Sequence, residues 1–280
     1  MTPQTQSPLA ESRIAIIGAG VMAESIVAGL IANHTMSPSQ IVASHPRQDR
    51  RTQLAAKHGI EVVESNATAA KGADLILLTI KPQVMPAVMA DLATVLDETQ
   101  VVISIAAGTT VAQLKSGLHH SAIVRVMPNT PAQVGEGMAL WFASGDVSEL
   151  AREKVRLTLG ALGRELEVEE EKYVDMATAL SGTGPTYVFL MMEALIDAGV
   201  HMGFPRRIAE QIVMQTVGGS VSYARHSGLH LAELRNMVTS PGGTSAEAIY
   251  QMEKGGLRTI LSKSVYAAYK RTQSLAKESE

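Results

Sequence analysis

Apolar positions along this chain follow two rhythms. In the first half they form short, nearly unbroken runs at 13–17, 40–44, 61–63, 74–80 ("DLILLTI"), 101–105 ("VVISI"), 122–127 and 138–142. Consecutive apolar positions suit strands buried on both faces, as in a parallel sheet covered by helices. Helical periodicity separates the first of these runs, at 22–33 and 49–58. Strands alternating with helices predict a doubly wound α/β domain. From about residue 172 the strands stop, and periodic segments take over at 173–180, 187–202, 206–226, 229–238, 245–254 and 257–277. Their breaks carry Gly or Pro, as helix ends do, and "GFPRR" at 203–207 puts Pro205 at a helix start. The acidic run "EVEEEK" at 167–172 marks the seam. The expectation is an α/β domain over 11–168 followed by an all-helical domain over 169–280.

Composition narrows the chemistry. With 280 residues, 46% hydrophobic, the chain has enough apolar material for a sizeable core. A net charge of −3 gives no broad attraction to nucleic acid, and the apolar run near 73–80 is too short to span a bilayer. There is no Cys, which removes disulfides, thiolate catalysis and Cys-based metal sites. The His residues show no convincing ligand spacing: His119 and His120 are adjacent, and Gly228 interrupts His226 and His230. The first dozen residues, "MTPQTQSPLAES", are polar and lack an apolar signal core. We therefore expect no metal, no nucleic acid and no membrane partner, and a cytoplasmic location.

The first strand runs into Ile16-Ile17-Gly18-Ala19-Gly20-Val21-Met22-Ala23, a G-x-G-x-x-A dinucleotide fingerprint between strand and helix. Gly18 allows the tight turn, Gly20 lets a pyrophosphate approach the helix N-terminus, and Ala23 lets helix and strand pack closely. Sites for NAD usually carry an acid at the end of the second strand. Here that end reads "SHPRQDRR" from Ser44, and Ser44 with Arg47 is placed to hold a 2′-phosphate, Arg50 lying further off. NADPH is the expected cofactor, with NADH a weaker substitute. Asn66 follows the third strand on the adenosine side. Two more strand ends open toward the same crevice: Thr79, Ile80, Lys81 and Pro82, then Ile105, Ala106 and Ala107. Small residues there let a nicotinamide ring lie close to backbone.

A second Gly-rich junction, "VTSPGGTSAEAI" at 238–249, enters a helix with hydroxyls at Thr239, Ser240, Thr244 and Ser245. Free N–H groups at a helix start attract anions. No Lys follows the glycines, so this is no phosphate-cradling P-loop. Taken in order, "IIGAGVMAESI", "TIKPQ", "RVMPNTP", "ALSGTGPTYVF" and "VTSPGGTSAEAI" resemble the pyrroline-5-carboxylate reductase family over nearly the whole chain. The resemblance implies a Rossmann-type N-terminal domain and a helical domain that dimerises, with many members assembling five dimers into a decamer. It implies that main-chain groups around Gly242, Gly243, Thr244 and Ser245 hold the carboxylate of a cyclic imine. The Ser245 hydroxyl would reach the ring nitrogen, so Ser245 and Thr244 are the expected catalytic pair. Most relatives carry Thr where this chain has Ser245. Glu171 matches an acidic family position near the substrate. "SGTGPTY" departs from the usual S-G-S-G-P-A-Y, and residues 181–185 are expected to turn into a helix.

The implied reaction is NADPH-dependent hydride transfer to the C=N bond of 1-pyrroline-5-carboxylate, giving L-proline in the last step of proline biosynthesis. A protonated pyrroline is already an iminium and accepts hydride at C5 without a strong base, so positioning beside the nicotinamide suffices. That agrees with a chain lacking a triad or metal cluster. Two other readings remain open from sequence: a related imine or β-hydroxyacid reductase with another substrate, and a nicotinamide-binding sensor without turnover.

Overall fold

A computed structural model describes residues 7–278, with side chains through Leu275. Two compact units divide the chain: one holds the residues up to Thr183 with the stretch from Ala268 onward, the other Gly184–Ala267.

The first unit is built on eight strands: β1 (Ile14–Ile17), β2 (Ile41–Ser44), β3 (Glu61–Val63), β4 (Leu75–Leu78), β5 (Val101–Ser104), β6 (Ile123–Met127), β7 (Gly137–Ala143) and β8 (Gly163–Glu167). They lie in the order β3-β2-β1-β4-β5-β6-β7-β8. All neighbours are parallel except β6 and β7, which pair antiparallel with Val126 opposite Trp141. The helices of this unit are α1 (Val21–Ala32), α2 (Gln48–His58), α3 (Asn66–Ala70), α4 (Met85–Leu92), α5 (Val111–Leu118), α6 (Glu149–Gly160) and α7 (Lys172–Ala177).

Alternation within the buried strands explains why helices cover both faces. Ile14, Ile16, Leu75 and Leu77 join one core with Ile26, Val27 and Leu30 of α1 and Val155 and Leu159 of α6. Ala15, Ile17, Ile76 and Leu78 point the other way, against Ala69 of α3, Met85 and Leu92 of α4, and Leu114 and Leu118 of α5. Successive strand side chains face opposite sides, so each central strand feeds both cores. The seven apolar runs predicted as strands are β1 to β7: five are trimmed by a residue or two at one end or both, 61–63 is unchanged, and 138–142 gains a residue at each end. The order in which the chain adds strands reverses between β1 and β4, β1 pairing parallel with both β2 and β4. Ligands bind outside the carboxyl ends of strands at such a switch point.

Strand β8 was not anticipated. Its sequence GRELE has no apolar row, and it stands at the sheet edge parallel to β7. Its acids are answered by β7 and α6: Trp141 Nε1 donates to Glu165 Oε2 at 2.6 Å, and Arg156 Nη2 lies 3.1 Å from Glu167 Oε2.

After α7 the backbone widens into a π turn at Thr178–Gly182, in which the Thr183 N–H donates to the Thr178 carbonyl at 2.9 Å. The stretch expected to turn into a helix therefore arises from helical backbone already under way. The second unit contains α8 (Gly184–His201), α9 (Arg206–Ser227), α10 (Leu231–Met237), α11 (Thr244–Lys254) and the first half of α12 (Leu257–Glu278), whose second half belongs to the first unit. Within it α8 and α9 pack closely where Gly199 meets Ala209. These helices leave a large apolar surface open, including Phe189 (62% exposed), Leu190 (65%) and Ile260 (58%).

Candidate active site

The G-x-G-x-x-A turn is shaped by two backbone demands. Gly18 has φ +101°, a region that favours glycine, and a Cβ there would come within 2.9 Å of Ile80 Cγ2. Its N–H donates to the Ser44 carbonyl at 3.0 Å. Thr79 Oγ1 donates to the Ile17 carbonyl at 3.0 Å, tying the end of β4 to the turn. Gly20 caps α1 without any side-chain hydrogen bond, and a Cβ on it would meet no protein atom within 4 Å. An uncapped helix start with clear space before it is what a pyrophosphate needs.

That space belongs to a cavity of about 700 Å³. Of the residues singled out from sequence, Gly18, Ala19, Gly20, Ser44, Asn66, Thr79, Ile80 and Lys81 line it together. Pro82 and Ala107 line a neighbouring cavity of about 470 Å³. Ile17 is a buried strand residue, while Val21 is 63% exposed at the helix start. Met22 packs against the sheet core, as does Ile105, and Ala106 is buried against the opposite core. Sequence reasoning missed Glu64 and Asp91, which also line the larger cavity. Asp91 follows Val88 one turn along α4, with Val84 at the N-cap just before the helix, a face visible only once that helix is recognised.

The basic turn after β2 is arranged differently from the sequence expectation. Ser44 is fully buried, and its hydroxyl donates to Asn66 Oδ1 at 2.8 Å, while Asn66 Nδ2 donates to Asp91 Oδ2 at 3.1 Å. Arg47 pairs with Asp49 at the surface, which raises the guanidinium pKa and lowers that of the carboxyl through their hydrogen bond. Arg51 donates to the carbonyls of His45 and Pro46 and pairs with Glu64 at 3.1 Å. Arg50 turns back onto α1, joined to Glu24 and to the Ala19 carbonyl.

Behind the sheet's other strand ends, Arg125 of β6 is 2% exposed. Its Nη1 lies 2.6 Å from Glu171 Oε1 and its Nη2 2.7 Å from Asp175 Oδ1. Glu171 Oε1 also accepts from the Val111 N–H at the start of α5, at 2.8 Å. Glu171 is thus held within the first unit by charge pairing, a partnership the sequence did not announce.

In the second unit the "VTSPGG" turn enters α11. Gly242 has φ +70°, and Gly243 stands at the N-cap with no side-chain cap. Ser240 accepts from the Gly243 N–H at 3.0 Å through its carbonyl, and a Cβ on Gly243 would strike Ser240 Oγ at 2.5 Å. Thr244 is exposed and Ser245 half-buried in the first turn. Glu247, also in that turn, accepts from Gln251 Nε2 at 2.9 Å, one turn further along the helix. The Ala246 and Glu247 N–H groups return to the Gly243 carbonyl at 3.1 and 3.3 Å, whereas no side chain caps the helix start at Thr244 and Ser245, an arrangement suited to a small carboxylate.

Comparison with known proteins decides what this arrangement belongs to. The chain is 41% identical to a pyrroline-5-carboxylate reductase from Synechocystis sp. over 266 residues, spanning 95% of this chain and 99% of that protein. The chain belongs to the pyrroline-5-carboxylate reductase family. Within it, the description "Pyrroline-5-carboxylate reductase dimerisation" matches residues 171–275. A broader one, "NADP oxidoreductase coenzyme F420-dependent", matches 13–108. The Pseudomonas aeruginosa reductase is 40% identical over 95% of this chain and 97% of its own. Among solved structures, the pyrroline-5-carboxylate reductase from Coxiella burnetii superposes with a TM-score of 0.90 at 36% identity, over 95% of this chain and 98% of that one. The Plasmodium falciparum pyrroline carboxylate reductase, solved with NADP bound, gives 0.86 at 29% identity over 95% and 98%. Family membership accounts for the two-unit plan, an α/β nucleotide-binding unit followed by a helical dimerisation region. It also accounts for the open apolar helix faces, which a homo-oligomer covers. Among the described residues no helix is long and apolar enough to cross a membrane, and no cluster of His, Asp and Glu could hold a metal ion.

Proposed function

We propose that the protein reduces 1-pyrroline-5-carboxylate to L-proline with NADPH, the last step of proline biosynthesis. The observation that carries this reading is the uncapped start of α11 behind Gly242 and Gly243, within a chain of this family. The nucleotide fits the larger cavity: Gly18, Ala19 and Gly20 with the start of α1 take the pyrophosphate, and Asn66 with Ser44 borders the adenosine side. When bound, the reduced nicotinamide supplies the hydride. The main-chain N–H groups of Thr244 and Ser245 hold the substrate carboxylate, while Gly243, its own N–H turned onto the Ser240 carbonyl, brings the backbone close and Gly242 gives the turn its left-handed step. The substrate nitrogen enters already protonated. As C5 accepts hydride, the C=N π pair withdraws onto nitrogen and no further proton is needed. The Ser245 hydroxyl steers that nitrogen, while Thr244 fixes the first turn. Alignment of this kind can lower a barrier by about 7–11 kcal/mol. Glu171 acts as a positioning group, bracing the start of α5 beyond the strand end that carries Ala106 and Ala107.

We place the enzyme in the cytoplasm and assign the apolar helical unit to a homodimer, with five dimers forming a decamer. Sedimentation of diluted protein as a stable monomer would sink the assembly reading. The decisive assay mixes protein, NADPH and pyrroline-5-carboxylate and follows loss of the reduced-nicotinamide absorbance. Turnover confined to the five-membered imine supports the reading. Turnover with other imines or keto acids instead, or binding without turnover, overturns it.

A further inference from the structure

We propose that Arg50 is the positioning residue of the nucleotide turn, acting on the pyrophosphate site through the Ala19–Gly20 peptide rather than touching the nucleotide itself. The inference rests on the proposed binding of NADPH in the larger cavity. Arg50 Nε donates to the Ala19 carbonyl at 2.7 Å. Its Nη2 pairs with Glu24 on α1, and its Nη1 donates to Gln53 Oε1 at 2.7 Å. Each nitrogen of the guanidinium therefore has a partner, and its side chain is only 19% exposed. Glu24 is itself anchored from the other side by Lys57 Nζ at 2.6 Å. The arrangement clamps α2 to α1 across the fingerprint turn.

The consequence follows from peptide geometry. In a trans peptide the carbonyl and the next N–H point in opposite directions. The chain has no cis peptide bond among the described residues. Holding the Ala19 carbonyl toward α2 therefore sets the direction of the Gly20 N–H, the donor nearest an approaching pyrophosphate. The plane of that peptide turns about ψ of Ala19 and φ of Gly20, and on the Gly20 side no Cβ limits the rotation, so the backbone alone restrains it weakly. A planar, multiply bonded guanidinium supplies the missing restraint, and a lysine cannot serve the carbonyl and Glu24 in the same geometry.

Because the pyrophosphate is common to both nicotinamide dinucleotides, a turn-positioning role and a 2′-phosphate role give different results. Binding is read directly, by titrating NADPH and NADH into the purified protein and following nicotinamide fluorescence. Arg50→Met is expected to weaken both nucleotides by similar factors, tenfold or more. Arg50→Lys should fall between it and wild type. Glu24→Gln, which keeps the guanidinium but loosens its anchor, should weaken both severalfold and serves if Arg50→Met does not fold. The KM for the imine at saturating NADPH should stay within twofold. Loss confined to NADPH would overturn the proposal in favour of a 2′-phosphate contact. Affinities within twofold of wild type in folded Arg50→Met would also overturn it, as would a fall of kcat at saturating NADPH as large as the fall of affinity in every variant. Wild-type protein that binds neither nucleotide would instead overturn the cofactor reading on which the proposal rests.

Discussion

Arg125 and Glu171 meet at 2.6 Å, with the arginine 2% exposed and the same carboxylate oxygen accepting from the Val111 N–H. One ion pair thus joins β6, the start of α5 and the start of α7. Breaking a buried pair from one side costs more than the pair contributes, because a charge is left behind without its partner. In Arg125→Met both Glu171 and Asp175 lose their cation. The carboxylates left behind are 29% and 25% exposed, so the expected loss is about 1–3 kcal/mol in urea denaturation. A loss below about 1 kcal/mol would show that water reaches these carboxylates freely.

The fingerprint turn offers a paired test of fold against function. Gly18→Ala forces a side chain into a left-handed position 2.9 Å from Ile80 Cγ2, and should destabilise by about 1–3 kcal/mol. Gly20→Ala adds its methyl to open space, so the fold should tolerate it. That methyl projects where the pyrophosphate must approach, and NADPH affinity should fall tenfold or more at unchanged Tm. Calorimetric titration beside a melting curve separates the two. Full affinity in Gly20→Ala would remove the pyrophosphate from this turn.

Ser245 is the residue expected to face the ring nitrogen. Losing one hydrogen bond of this kind costs about 1–2 kcal/mol, so Ser245→Ala should lower kcat/KM for the imine by about 5–30-fold. Its Kd for NADPH should not move. Ser245→Thr keeps the hydroxyl and should keep most of the activity. Equal losses in turnover and nucleotide affinity would make Ser245 a folding residue instead.

What could be seen in the sequence depended on whether the information was local. IAII, LILL and VVIS are wholly buried strands, and their unbroken apolar character was enough to find them. GRELE hides its strand because charge, not apolar burial, seats it: Glu165 is met by Trp141, and Glu167 by Arg152 and Arg156. Those partners lie 11 to 24 residues away, beyond any periodicity. The fingerprint glycines were legible because their demand is written in the backbone itself. The basic turn was only half legible. Arg50 reaches the fingerprint turn and α1, 31 and 26 residues off, and Arg51 reaches Glu64 just past β3, 13 residues off. Long side chains choose partners in space, so a count of arginines near a strand end says little about which one faces a ligand.

The clamp around Glu24 carries a pH dependence with a definite sign. Hydrogen bonds from Lys57 and then Arg50 lower its carboxyl from an ordinary value of 4.5 to about 2. A carboxyl whose folded pKa is depressed stabilises the fold fully above the unfolded value. As pH falls below 4.5 the unfolded chain takes up the proton first, and stability drops until the folded carboxyl is also protonated near 2. Glu24→Gln lacks this contribution at every pH. It should be less stable than wild type by about 1–3 kcal/mol at pH 7, with the gap steady down to roughly pH 5 and narrowing at more acid values. Denaturation midpoints of the two proteins at pH 7, 5.5, 4 and 3 check this. A gap that stays flat down to pH 3 would mean that Lys57 and Arg50 do not hold the carboxylate in solution, and the restraint on the nucleotide turn would lose its anchor with it.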